Sequence, residues 1–118
     1  MLSTNLTHVQ SEAEHSELLK NNENVMICCG RMGPMCIPVY EIMEELEGEY
    51  KHIKFADMAF DSPDAKVIRS LPEARSFQSL PFTVYYKNGK IVKATSSIQS
   101  KDQITAILDE QFADKILV

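Results

Sequence analysis

The 118-residue chain has an ordinary globular composition, with 44% hydrophobic residues, 25% charged residues and a net charge of -5 at neutral pH. This length suits one domain, and no repeat or Gly/Ser-rich linker divides it, so we expect a single domain over residues 1–118. The acidic balance without a basic cluster argues against a nucleic-acid partner. Apolar runs are too short for a membrane span and the polar start lacks a signal-peptide pattern, so we expect a cytoplasmic protein.

The first half of the chain alternates helix-type and strand-type patterns. Spaced apolar positions over residues 6–19 predict an amphipathic first helix. Residues 25–29 form a short apolar run without alternation, which is typical of a strand buried on both faces. Residues 34–50 predict a second helix with Pro34 in its first turn. Pro38 removes one backbone donor, so the start of this helix should be irregular.

The second half of the chain predicts one more strand–helix unit, a hairpin and a last helix. The Asn88-Gly89 pair lies between two β-rich runs and is a strong hairpin signal. The other patterns are a strand over 52–60, a short proline-initiated helix over 62–71 and a capping box before a helix over 100–112. The order α-β-α-β-α-β-β-α predicts an α/β fold with a central mixed β-sheet flanked by helices on both faces.

This order resembles the thioredoxin family, which carries Trp-Cys-Gly-Pro-Cys between a central strand and the next helix. The equivalent stretch here is Met32-Gly33-Pro34-Met35-Cys36. Downstream, Ser79-Leu80-Pro81-Phe82 is similar to the family's Ile-Pro-Thr, whose proline is cis and faces the active site. The resemblance covers about residues 25–112. It implies the thioredoxin fold, a protein disulfide as substrate and a thioredoxin reductase as electron donor.

The family's Cys-x-x-Cys pair is missing from this chain. Alignment without gaps places Cys36 on the family's second, buried cysteine and Gly33 on its first, nucleophilic cysteine. A gapped alignment of Cys36-Ile37-Pro38 with the family's Cys-Gly-Pro makes Cys36 the nucleophile, and both alignments stay open. In the first turn of a helix, unpaired amides and the helix dipole favour a thiolate, whereas a small buried side chain is the structural alternative.

Cys29 is the expected companion of Cys36. In a strand, Ile27 and Cys29 share one face while Cys28 points to the other. By resemblance, the second helix covers the face that carries Ile27 and Cys29. We therefore expect a Cys29–Cys36 pair, which needs Cα atoms within about 7 Å, and we interpret Cys28 as a core residue.

Asp57 and the groove residues complete the candidate site. By resemblance, Asp57 falls close to the family's partner lysine, where it would accept a proton from Cys36; a partly exposed carboxylate without a partner is the alternative. By resemblance, a cis peptide before Pro81 would expose the Leu80 backbone to an extended substrate strand; a trans proline at the start of a strand is the alternative. The methionines suit either an adaptable docking surface or the core. The candidate substrate contacts are Met32, Gly33, Pro34, Met35, Leu80 and Pro81.

No metal or cofactor is expected, because adjacent cysteines on opposite strand faces and scattered histidines lack ligand spacing. Two functions remain. The first is thiol–disulfide exchange through Cys36, either with Cys29 or alone through a mixed disulfide. The second is a non-catalytic thioredoxin-fold module that binds a partner protein or an extended peptide, which loss of the exposed cysteine favours.

Overall fold

The fold comes from a computed structural model that describes residues 2–76 and 79–112. Within these ranges the strands are β1 Thr7–Val9, β2 Asn24–Gly30, β3 Lys54–Ala59, β4 Phe82–Lys87 and β5 Lys90–Ser96. The α-helices of the same ranges are α1 Glu12–Asn21, α2 Ile37–Glu47, α3 Lys66–Arg69 and α4 Lys101–Gln111. Short 3-10 turns at Pro63–Ala65 and Pro72–Ser76 flank α3.

The strands form one mixed sheet in the order β1-β3-β2-β4-β5. The pairings of β3 with β1 and with β2 are parallel, whereas β4 runs antiparallel to both β2 and β5. This arrangement confirms the mixed α/β sheet that the alternating pattern predicted. Strand β2 lies at the centre, and its residues 25–30 are buried because helices cover both faces of the sheet.

Two hydrophobic clusters fill the space between the sheet and its helices. The first joins the sheet to α2 and α4 and includes Met26, Cys28, Cys36, Val39, Tyr40, Met43, Ile104 and Leu108. The second joins the opposite face to α1 and α3 and includes Ile27, Cys29, Met58 and Ile68, with Leu18 and Leu19 packed against it. No helix in the described part of the chain is long and apolar enough to cross a membrane.

The first helix begins later than the sequence pattern predicted, and the prediction of helix from residue 6 is wrong. Helix α1 starts at Glu12 after Ser11, whose hydroxyl accepts a hydrogen bond from the Glu14 amide at 3.1 Å. Leu6 precedes the edge strand β1, and Val9 ends it. Their three-residue spacing fits a helix, but along an extended chain it sends the two side chains to opposite faces. Leu6 joins the α2 cluster and Val9 joins the α1 cluster, so extended backbone buries both.

Helix α2 begins at Ile37, not at Pro34 as predicted. The residues between them form the irregular start that Pro38 predicts. Residues 33–36 form a turn in which the amides of Cys36 and Ile37 both donate to the Gly33 carbonyl at 3.0 Å. Pro38 has no N–H to donate to the Pro34 carbonyl, so regular helical bonding starts only after it. Cys36 is consequently the residue at which the loop becomes helix.

Candidate functional site

Cys36 lies at the junction between the β2–α2 loop and helix α2. It is the N-cap residue of that helix, and only 3% of its surface is exposed. The backbone amide of Arg31 donates to Cys36 Sγ at 3.4 Å. The junction therefore brings the sulfur to the helix start and gives it one amide donor from the preceding loop.

Gly30 is the last residue of β2, and its missing side chain makes room for three neighbouring residues of the site. A β-carbon at this position would lie 2.7 Å from Tyr40 Oη, 2.8 Å from Cys36 Sγ and 3.2 Å from Pro81 Cβ. All three atoms thus crowd around a residue that has no side chain. The peptide bond between Leu80 and Pro81 is cis.

A shallow groove with a volume of about 260 Å³ opens beside Cys36. Its lining residues are Arg31, Gly33, Pro34, Met35, Cys36, Ser79 and Leu80. Met32 and Met35 are 43% and 40% exposed, so the interpretation of these methionines as core residues is wrong. The structure thus gathers the predicted substrate contacts around the sulfur, since four of them line the groove and Pro81 lies over Gly30.

All three cysteines are free thiols, but their surroundings differ. Burial raises the pKa of Cys29 to about 12, although Arg69 acts in the opposite direction. Burial also raises the pKa of Cys28 well above its ordinary value, partly offset by the hydrogen bond from Thr83. Both of these thiols are fully buried, whereas Cys36 reaches the groove wall. Because the thiolate is the attacking species, Cys28 and Cys29 are poorly suited to chemistry in the folded chain.

No family model and no curated protein matches the chain. Solved thioredoxin structures, in contrast, match most of its length. Thioredoxin f2 of Chlamydomonas reinhardtii has a TM-score of 0.76 at 14% identity, covering 93% of this chain and 99% of its own. This chain has the thioredoxin fold.

Two further thioredoxins have the same fold at similarly low identity. Mitochondrial thioredoxin 3 of Saccharomyces cerevisiae gives a TM-score of 0.71 at 20% identity, covering 88% of this chain and 94% of its own. The oxidised thioredoxin of Plasmodium falciparum gives a TM-score of 0.68 at 19% identity, covering 92% of this chain and 99% of its own.

The thioredoxin-fold sheet separates Cys29 from Cys36. Cys36 packs in the cluster that contains Cys28, whereas Cys29 packs in the cluster on the other face. The prediction that α2 covers the face with Ile27 and Cys29 is therefore wrong. The alternation of side chains along β2 is as predicted, but the resemblance gives the wrong face, because a shift of one residue along a strand exchanges its two faces.

Asp57 lies deeper along the sheet than Cys36. Its register partner on β2 is Cys28, whereas Gly30, which lies against the Cys36 sulfur, pairs with Ala59. The Asp57 carboxylate is 1% exposed, lies 2.7 Å from His8 Nδ1 and accepts a hydrogen bond from the Thr4 hydroxyl. The alternative of a partly exposed carboxylate without a partner is wrong, and the proton exchange with Cys36 stays a prediction.

Several residues of this site were not singled out by sequence reasoning. Gly30 ends the apolar run of β2, and a glycine at the end of a strand can mark a close approach of backbone. Tyr40 is four residues after Cys36, a spacing that places both on one face of α2. The Arg31 guanidinium pairs with both carboxylate oxygens of Asp61 at 2.8 and 2.9 Å and lies 5.4 Å from the centre of the Phe60 ring.

Among residues 2–76 and 79–112, no group of three or more His, Cys, Asp or Glu side chains is arranged to hold a metal ion.

We expect Gly30→Ala to lower the free energy of unfolding by about 1–3 kcal/mol, because the new methyl group overlaps Tyr40 and Cys36. Urea denaturation measures the change. Gly33→Ala is the matched control, since a β-carbon there meets no atom within 4 Å, and its effect should stay within about 0.5 kcal/mol. Equal effects of the two substitutions would contradict the close packing at Gly30.

Asp57 gives a pH-dependent test. Burial raises the pKa of its carboxyl above the usual value, although the hydrogen bonds from Thr4 and His8 oppose this shift. Its stabilising contribution is therefore complete below the unfolded-state pKa and is lost as the pH rises through the folded-state pKa. The free energy of unfolding of the wild type minus that of Asp57→Asn should fall as the pH rises above about 4, the ordinary pKa of an aspartic acid.

The matched control for this test is Asp61→Asn. The hydrogen bond from Arg31 lowers the pKa of Asp61. The free energy of unfolding of the wild type minus that of Asp61→Asn should therefore rise with pH. A difference for Asp57→Asn that also rises with pH would show that its hydrogen bonds outweigh its burial.

Proposed function

We propose that this chain performs thiol–disulfide exchange through Cys36. The observation that carries the proposal is the position of the sulfur at the start of α2, in the wall of a groove and next to an amide donor. A helix start and backbone donors favour a thiolate, which is the attacking species in this chemistry. The thioredoxin fold supports the proposal without fixing the activity.

In the proposed reaction Cys36 acts alone through a mixed disulfide. Its thiolate attacks one sulfur of a substrate disulfide, and the other substrate sulfur leaves as a thiolate that takes a proton from water. A donor thiolate then attacks Cys36 Sγ and releases the rest of the substrate as a second thiolate. Another donor thiolate attacks the donor sulfur bound to Cys36, which frees Cys36 and leaves the donor as its disulfide. Two donor thiols are oxidised for each substrate disulfide reduced.

The single-thiol form is favoured because Cys29, the expected companion, lies on the other face of the sheet. Burial also raises the pKa of the Cys29 thiol, so few thiolates form there. The resolving thiol would thus come from outside the chain, either from a small-molecule thiol or from a reductase of the thioredoxin reductase type. A cytoplasmic location, which we propose from the sequence, would provide such donors.

The proposed substrate is a protein disulfide on an extended segment. The groove beside Cys36 is bordered by Met35 and Leu80, and Met32 is exposed on the same loop. Flexible thioethers adapt to different side chains, which suits a site that accepts more than one sequence.

A second function, a non-catalytic module that binds a partner protein or peptide, is favoured by one observation. The Cys36 side chain is only 3% exposed, so the thiol has little access to a large substrate unless the groove admits it. The same groove and methionines would then serve binding alone.

Treatment of the native protein with glutathione disulfide separates the two functions. We expect one glutathione adduct per chain, located on Cys36 by peptide mass, because only this thiol lines the groove. Cys36→Ser should form no adduct. Cys29→Ala is the matched control and should form the same adduct as the wild type, because Cys29 is buried on the other face.

Other results would change the conclusion. If no thiol reacts until urea unfolds the chain, the redox function is wrong and the binding module remains. If oxidation instead produces an internal Cys29–Cys36 disulfide, the reaction is a two-thiol exchange and the single-thiol form is wrong.

A further inference from the structure

Tyr40 is a buried residue of α2 whose hydroxyl bonds to the loop that precedes this helix. It lies one helical turn after Cys36, and its amide donates to the Cys36 carbonyl at 3.1 Å. Only 2% of its surface is exposed. Its hydroxyl and the Cys36 sulfur both lie within 3 Å of the position that a β-carbon on Gly30 would take, so the two groups are neighbours.

The Tyr40 hydroxyl is bonded to the loop that supplies the donor to Cys36. Tyr40 Oη donates to the Arg31 carbonyl at 3.1 Å, and the Arg31 amide donates to Cys36 Sγ at 3.4 Å. One residue, Arg31, is thus held at its carbonyl by α2 while its amide is directed at the sulfur. A donor that is fixed before the reaction supports developing charge without reorganisation.

We propose that Tyr40 is the positioning residue of the Cys36 site and holds Arg31 so that its amide supports the Cys36 thiolate. The inference rests on the proposed thiol chemistry of Cys36 and adds to it a residue outside the Met32-to-Cys36 motif. Tyr40 acts through Arg31 and does not itself need to touch the substrate.

A tyrosine suits this role because it stays a neutral donor. Burial raises the pKa of the Tyr40 hydroxyl well above its usual value, and the nearby thiols act in the same direction. The hydroxyl therefore keeps its proton at any pH at which thiols exchange. The Arg31 side chain pairs with Asp61 and its charge also interacts with Cys36, whereas its backbone amide is the group that donates to the sulfur.

The test is the pH profile of disulfide exchange at Cys36 in Tyr40→Phe. The rate of reaction with glutathione disulfide is followed by the peptide mass of the Cys36 adduct. Removal of the hydroxyl should raise the pH of half-maximal rate by about one unit, a tenfold change in thiolate formation. Each thiolate then becomes about threefold more nucleophilic, so the rate should fall about threefold below the midpoint and rise about threefold above it.

This crossing of the two profiles distinguishes positioning from a purely structural role. Loss of packing alone would change the rate in one direction at every pH. Tyr85→Phe is the matched control, because the Tyr85 hydroxyl is buried in the same cluster and has no hydrogen-bond partner within the described residues. Its profile should coincide with that of the wild type.

A second pair of variants tests the route through Arg31. Arg31→Pro removes the amide donor, and Arg31→Ala removes the same side chain but keeps the amide. Both variants lose the Arg31 charge, which interacts with Cys36, so the contribution of the amide is the further shift of Arg31→Pro beyond that of Arg31→Ala. Relative to Arg31→Ala, Arg31→Pro should reproduce the shift that Tyr40→Phe gives relative to the wild type, and adding Tyr40→Phe to Arg31→Pro should shift the midpoint no further.

The outcomes are separable. If Cys36 of the wild type exchanges and Tyr40→Phe has the same midpoint as the wild type, the role of Tyr40 is wrong and the proposed function is unaffected. Additive shifts in the double variant overturn the route through Arg31. A wild-type Cys36 that never exchanges in the folded protein overturns the proposed function, and the role of Tyr40 with it.

Discussion

The parallel pairing of β2 with β3 is the constraint on which the candidate site depends. It places Cys28 beside Asp57 and Gly30 beside Ala59, and it fixes which residues of β2 face helix α2. Since side chains alternate along a strand, this register directs Cys28 towards Cys36 and Cys29 away from it. The chemistry available to the chain follows from that assignment, because it removes Cys29 as a partner of Cys36.

Close packing at Gly30 is the second requirement, and it follows from the first. The register brings Gly30 under the start of α2, where any side chain would meet Tyr40 and Cys36. The absent β-carbon lets a sulfur, a hydroxyl and Pro81 occupy one small region at the end of the central strand. Buried polar groups need partners, and here the Arg31 carbonyl and amide supply them.

The sequence was sufficient for the fold because each element carries an independent local signal, and those signals occur in an order that the thioredoxin fold shares. It failed where two structures share one pattern. Leu6 and Val9 fit a helix by spacing, but two separate cores on the two faces of the sheet favoured extended backbone. The face of β2 that α2 covers also depends on how β2 pairs with its neighbouring strands, and residue spacing along the sequence does not reveal that pairing. For the same reason the predicted partner of Cys36 lies on the other face, while the predicted contacts Gly33, Pro34, Met35 and Leu80, which are local to the loop and to Pro81, lie along the groove and stay predictions.

The surroundings of the three thiols point to a site built on one sulfur and neutral donors. Burial keeps Cys28 and Cys29 protonated, and the buried carboxylate of Asp57 is engaged by Thr4 and His8 on the amino-terminal segment. A carboxylate directly beside Cys36 would oppose a thiolate, because like charges repel strongly away from water. The groups closest to the sulfur are an amide, a buried hydroxyl and a proline, and the charge that the groove adds is the positive Arg31 guanidinium, whose sign favours a thiolate. A thiolate formed at Cys36 therefore meets dipoles that are already oriented, which is the environment that the proposed exchange requires.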